Sequence, residues 1–324
     1  MALRHDRSQT QPEEEMNAIA QVGDSRDVVW THPSVKALME YARPNESPND
    51  VIRRRCRELV ASAKESGWGG PPYDPEILAS LNDIQVEAVD EDIRADARIF
   101  PGDGGRLIIQ YASSVSPERQ RFSICHEITH TRFPDCYEEV RYRQRQRKLD
   151  WKHQELERLC NIGGAEILIP YDDFRERTGN SRPSLELANE LRKTFECSME
   201  AILYRIVDLS DEPCAVVFLS KRFKPKEERA FHPEFDLGLS KPEPKYRVDY
   251  PRVSKKFAAY FPHHKSAPMS SVVYAAASSD LFPSAFEEWD IAGLGQPRVQ
   301  AAALPLITNN PVPRVAALFT YSPN

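Results

Sequence analysis

The residues with the clearest chemical potential are His126-Glu127-Ile128-Thr129-His130. On a helix, two histidines four apart share one face, one turn from each other. His126 and His130 can therefore bind one metal through their imidazoles. Glu127 is rotated to one side, where it can reach a water on that metal rather than the metal itself. This is the division of labour a zinc hydrolase needs: two imidazole ligands, and a carboxylate to take the proton from a water that attacks a carbonyl. A third ligand is still required. The pattern that adds Gly-x-x-His after the second histidine fails, because Phe133 and Cys136 stand at those positions. The other pattern takes a glutamate from a later helix. Glu157 and Glu166 are the candidates, and nine residues apart at 100° each they point to opposite faces. Asn161 lies one turn from Glu157 on the same face, where it can hydrogen-bond a ligand histidine and fix its orientation. That pairing favours Glu157.

These residues need elements to hold them. Ser47-Pro48 starts a helix, with Ile52, Cys56, Leu59, Val60 and Ala63 at helical spacing and Gly67 as its stop. A short helix follows over Pro75 to Leu81. Ile84, Val86 and Ala88 alternate as in a half-buried strand. Pro101 to Gly105 is a turn, and Arg106 to Tyr111 is a strand. Ser116-Pro117-Glu118 caps the motif helix, which Pro134 ends. A third helix spans about Trp151 to Ile169, with Leu156, Leu159, Cys160, Gly163 and Ile167 as its buried stripe. Gly163 and Gly164 suggest close helix packing. Further helices are expected at Leu185 to Phe195 and Met199 to Asp208. The strand before the motif helix is expected to flank the cleft and to take a substrate chain along its edge.

Beyond about residue 210 helical periodicity fades and prolines become frequent. Cys214 to Leu219, Val299 to Leu306 and Arg314 to Tyr321 read as strands. The chain thus divides into a polar, acidic tail over 1–24, expected to be disordered, a metal-binding domain over 25–209, and a β-rich domain over 210–324. The fold class is α+β.

At 324 residues, 40% hydrophobic, 28% charged and a net charge of -6, the chain has a globular composition and is no generic nucleic-acid coat. No apolar run reaches membrane-spanning length, no signal-peptide core follows Met1, and the six cysteines lack metal or disulfide spacing. A cytoplasmic protein with buried thiols is expected, without a membrane partner. The basic run Arg141, Arg143, Arg145, Arg147, Lys148 and Lys152 reads as a solvated face rather than a binding patch. Leu185 to Asp208 has the outline of a helix-turn-helix, but its small excess of positive charge makes direct DNA binding the weaker reading. His153, His263 and His264 lack partners at ligand spacing and read as surface residues.

Two segments together resemble the ImmA/IrrE family of metallopeptidases. Glu118 to His130, with the sequence ERQRFSICHEITH, is similar to that family's signature helix. Glu157-Arg158-Leu159-Cys160-Asn161, running on to Ala165-Glu166-Ile167-Leu168-Ile169-Pro170, is similar to its second motif. The upstream strand Gly105 to Tyr111 also fits, and the likeness spans roughly residues 50 to 210. Gly163-Gly164, where larger residues are usual, and a long charged connection between the motifs depart from the pattern without touching the ligands. The resemblance implies a minimal thermolysin-like zincin core, one zinc per chain on His126, His130 and Glu157, and Glu127 as general base. It also implies a protein substrate inside the cell, a helix-turn-helix repressor or related regulator, in a stress or transcriptional response. The competing reading is a metal-bearing sensor that cleaves little and acts through its C-terminal domain. An intact Glu127 favours the enzyme, because a purely structural site needs no base.

Overall fold

The computed structural model describes residues 30–90, 93, 95–145, 153–230, 243–257, 259–279, 282–289, 291, 298–307 and 312–321. The expected tail over 1–24 and the side chains of the basic run from Arg141 to Lys152 lie outside the described residues. The chain forms two compact units. One comprises Asp24–Asn180 and Leu191–Ala201. The other comprises Ser181–Glu190 and the described residues from Ile202 onward.

The first unit opens with helices α1 (Pro33–Met39), α2 (Pro48–Glu65) and α3 (Pro75–Leu81). Each has proline in its first turn, where a missing N–H costs nothing. Ser47 and Asp50 close a reciprocal capping box on α2. At its other end Gly67 adopts φ +92, and Trp68 N–H bonds back to Ala63 O at 2.9 Å. Strands β1 (Ile84–Val89), β2 (Ala97–Pro101) and β3 (Leu107–Ala112) form a sheet in the order β1-β3-β2. The sequence reading did not single out β2, a short run whose Ala97 and Ile99 face inward.

The position of β3 corrects one expectation. It pairs in parallel with β1, from Ile84↔Leu107 to Val89↔Ala112, and antiparallel with β2. Both of its ladders are filled, so it has no free edge for a substrate strand. An added strand would need the outer edge of β1 or β2.

Helices α4 (Pro117–His130), α5 (Cys136–Arg145), α6 (His153–Leu168) and α7 (Tyr171–Thr178) complete the motif region. Ser116 accepts from Arg119 N–H to cap α4. Helix α4 packs on β2 and β3, and α6 packs on α4 and α2. The expected stripe of α6 is buried throughout. The expected close approach is present at both glycines. A Cβ on Gly163 would stand 2.3 Å from Thr129 Cγ2 and 2.8 Å from Cys56 Sγ. One on Gly164 would stand 3.1 Å from His126 N. None of the six cysteines is in a disulfide, and burial pushes the Cys56, Cys125 and Cys197 thiols up to about 12, which keeps them protonated.

Helices α8 (Leu185–Phe195) and α9 (Met199–Leu209) follow, then β4 (Cys214–Arg222), α10 (Pro225–Ala230), β5 (Lys245–Val253), α11 (Val272–Ala276), β6 (Ser284–Glu288), β7 (Arg298–Leu306) and β8 (Arg314–Thr320). The second unit is an antiparallel sheet in the order β5-β4-β8-β7-β6. Its core includes Phe261, Trp289 and Phe319, with ring centroids 5.0 Å apart for Phe261–Phe319 and 4.9 Å for Trp289–Phe319. Within the same unit Tyr204 of α9 packs on Phe218, and Asp208 pairs with Arg252. The unit is β-rich, as expected, although β5 and β6 were not foreseen.

No helix among the described residues is long and apolar enough to cross a membrane. The tight contact of α6 on α4 gives a direct test. Gly163→Ala should lower stability by about 1–3 kcal/mol, because Thr129 is fully buried and has little room to move. Urea denaturation of both proteins measures this, and an unchanged midpoint would mean that the helices have space to spare.

Candidate metal centre

Helix α4 places His126 and His130 on one face, with ring centroids 5.3 Å apart. Helix α6 crosses them and brings its own polar stripe into reach. His126 Nε2 lies 3.0 Å from Glu157 Oε2, and His130 Nε2 lies 3.8 Å from Glu157 Oε1. On the other side of the His126 ring, Nδ1 lies 2.9 Å from Asn161 Oδ1. Asn161 oxygen can only accept, so Nδ1 carries the hydrogen and the Nε2 lone pair is directed toward Glu157. Sequence spacing anticipated this orientation of a histidine by Asn161.

The donor set suits zinc. Two ligands about 2.0–2.1 Å from a tetrahedral ion stand roughly 3.4 Å apart. The separations of 3.0 and 3.8 Å bracket that value. His130 is 2% exposed and Glu127 4%. The His126 and Glu157 side chains keep 13% and 27%, so the group has a dry floor and an open side. An ion held there can meet solvent or a substrate while the inner imidazole is shielded from it.

Cys160 is a contact that sequence reasoning missed. One nitrogen of each histidine and Cys160 Sγ lie within 4.8 Å of one another, which makes the thiol a rival ligand. However, Sγ lies 3.4 Å from His130 Nδ1, whereas Nε2 of the same ring faces Glu157. The two ring nitrogens point in different directions, so Cys160 supports His130 from behind. Its place three residues after Glu157 on α6 was the available signal.

Glu166 faces elsewhere, as the nine-residue offset requires. It is fully buried, with Oε1 2.8 Å from Arg57 Nε of α2. Glu166 therefore joins α6 to α2, while Glu157 turns toward α4. His263 is exposed, as expected, and His264 is half-buried with Nδ1 2.7 Å from Arg222 Nη1. His153 corrects the reading of a surface residue: it is 4% exposed and lies beside Glu139 and His32. Glu139 comes from the preceding helix and His32 from before α1, neither at a spacing that a search along one helix reaches.

Residues 81–207 match the family described as the IrrE N-terminal-like domain. That segment contains both motif helices, and the resemblance read from them is borne out there. Two similar proteins each carry the name "Radiation response metalloprotease IrrE". The one from Deinococcus deserti is 30% identical over 178 residues, covering 53% of this chain and 60% of the relative. The one from Deinococcus radiodurans is 29% identical over 126 residues, covering 38% of each. The chain thus spans less than two thirds of the length of either relative. Among solved structures, a Mycobacterium tuberculosis transcriptional regulator matches 89% of this chain and 82% of its own, at a TM-score of 0.50 and 15% identity. At that identity the likeness concerns the fold alone, and it agrees with the α+β class.

The geometry separates three residues of α6 by role. Glu157→Gln should weaken zinc binding strongly, and Asn161→Ala should weaken it about 10–100-fold by freeing the His126 ring. Glu166→Gln should retain zinc and lose stability instead, because Arg57 is left without its buried partner. Competition titrations against a chromogenic chelator rank the three. Stronger loss in Glu166→Gln than in Glu157→Gln would reverse the assignment of the two faces.

Proposed function

We propose that the chain, whose residues 81–207 fall within the IrrE N-terminal-like family, is a zinc-dependent metalloendopeptidase acting on a regulatory protein. His126, His130 and Glu157 hold one zinc at this site, and Glu127 is the general base. The observation that carries the reading is the convergence of two imidazoles and a carboxylate from two packed helices, with Asn161 orienting one imidazole.

Bound there, the ion would supply a Lewis acid that acidifies water and polarises a carbonyl. The protein residues supply the rest. Asn161 fixes the His126 tautomer and Cys160 supports the His130 ring. Glu127, next to His126 and withdrawn from solvent, accepts the proton of the attacking water and returns it to the leaving amine. The more exposed flank, at His126 and Glu157, is where the peptide enters. The substrate class that the family resemblance suggests is a helix-turn-helix repressor, cleaved inside the cell as part of a stress or transcriptional response. We assign residues 210–324 a regulatory or sensory role in that cleavage. Their separate buried core supports a module with its own stability.

The test is a cleavage time course on helix-turn-helix regulators from the same genome, with wild type, Glu127→Gln and a chelated control. Glu127→Gln should keep zinc and fold, and lose about 10²–10⁴ in rate. Glutamine preserves shape and hydrogen bonding but cannot take the proton. Wild-type rates in that variant would remove the proposed base. Zinc-loaded wild type that cleaves no such regulator would leave the metal-bearing sensor as the better account.

A further inference from the structure

We infer that the first unit contains a second metal site, formed by His32, Glu139 and His153, which takes a zinc-type divalent cation. The inference rests on these residues alone and not on the proposed peptidase activity. His32 precedes α1 as its N-cap, Glu139 lies on α5 and His153 opens α6. Three elements, two of them consecutive helices and the third more than a hundred residues earlier, thus deliver two imidazoles and a carboxylate to one place. Their ligand atoms all lie within 4.8 Å of one another. None of the three residues is more than 7% exposed.

The spacing is that of ligands around an ion. His153 Nε2 and Glu139 Oε1 are 3.7 Å apart, which is long for a direct hydrogen bond and close to the roughly 3.4 Å edge of a tetrahedral zinc site. The His32 and His153 rings meet edge-on with centroids 5.2 Å apart. A second carboxylate stands nearby. Asp135 Oδ2 accepts from Ser34 Oγ at 2.8 Å, while its Oδ1 is buried with no hydrogen-bond partner among the described residues. Asp135 is close enough to act on the charge of His32. The set of two imidazole nitrogens and one carboxylate oxygen, with a position left for water, suits zinc rather than calcium or magnesium.

Coordination also has a local cost that can be identified. His32 Nδ1 accepts from Ser34 N–H at 3.2 Å, so Nε2 is the nitrogen left for an ion. A neutral imidazole bound through Nε2 carries its hydrogen on Nδ1, and the capping bond gives way. One long hydrogen bond is exchanged for a set of coordinate bonds. Since His153 precedes Glu157 by four residues on α6, the second ion would brace the start of the helix that carries Glu157. Its role is structural: it would tie α1 and α5 to α6.

Metal analysis of the zinc-loaded, dialysed full chain tests this, with His126→Ala/His130→Ala as the background that empties the motif site. The expected result is about two zinc ions in wild type and about one in the background. Adding Glu139→Gln or His153→Gln to the background should remove the last one. A background protein that holds no zinc, or keeps its zinc after those substitutions, would overturn the proposal. Should these variants misfold, anomalous scattering at the zinc edge from wild-type crystals decides alone. A peak between His32, Glu139 and His153 supports the site. A peak only at His126 and His130 overturns it and leaves the peptidase reading standing. A peak only at the new site would spare this inference and remove the ligand set proposed for catalysis.

Discussion

The first unit depends on how closely α6 can approach α4. Side chains on either helix reach only a few ångströms, so Glu157 can stand 3.0 Å from His126 only if the backbones nearly touch. Gly163 and Gly164 permit that contact, the first against Thr129 and Cys56, the second against the backbone at His126. Packing and chemistry meet in the same few residues. The glycines that close the interior also set the spacing of the donors. Glycine in a helix interior costs about 1 kcal/mol relative to alanine, and two in succession are a sizeable local penalty. The burial along Leu156, Leu159, Cys160 and Ile167 offsets it.

The same helix is polarised around its axis. One face carries Glu157 and Asn161 to the histidines, and another carries Glu166 to Arg57 of α2. Acidic groups on one helix thus serve opposite purposes, with an open side for Glu157 and full burial for Glu166. A buried carboxylate without a cation would be strongly unfavourable, so Arg57 is what allows Glu166 to sit in the interior. Meanwhile the fully buried Cys160 holds the His130 ring in place through its shape and a weak contact at Nδ1.

Much of this organisation was legible in the sequence because it is written locally. Ser47-Pro48, Asp74-Pro75 and Ser116-Pro117 each declare a helix start, and all three helices begin there. The spacing of His126, His130, Glu157 and Asn161 determines which helix faces they share. What escaped was set by distant partners. Strand β5 is the exception, because Tyr246, Val248 and Tyr250 alternate with Arg247, Asp249 and Pro251 as a half-buried strand should, a local signal that the surrounding charges and Pro251 masked, and it pairs with β4. Strand β6 is short and largely exposed, with too little alternation to register. The filled edges of β3 and the burial of His153 depend on which elements meet in space, and no periodicity along one segment contains that information.

The way the donors are placed also bears on how such a chain can change over generations. The relation of Glu157 to the histidines is fixed by helix-on-helix contact and by the register within α6, not by the connection between α5 and α6. Inserting one residue into α6 between Glu157 and Gly163 would turn the two by 100° relative to each other. The glycines could then no longer face α4 while the carboxylate faced the rings. Residues added to or removed from the charged connection upstream of His153 leave that register intact. The chain is thus intolerant of length changes between Glu157 and Gly164 and permissive upstream of His153, where added or lost residues leave the donor geometry in place.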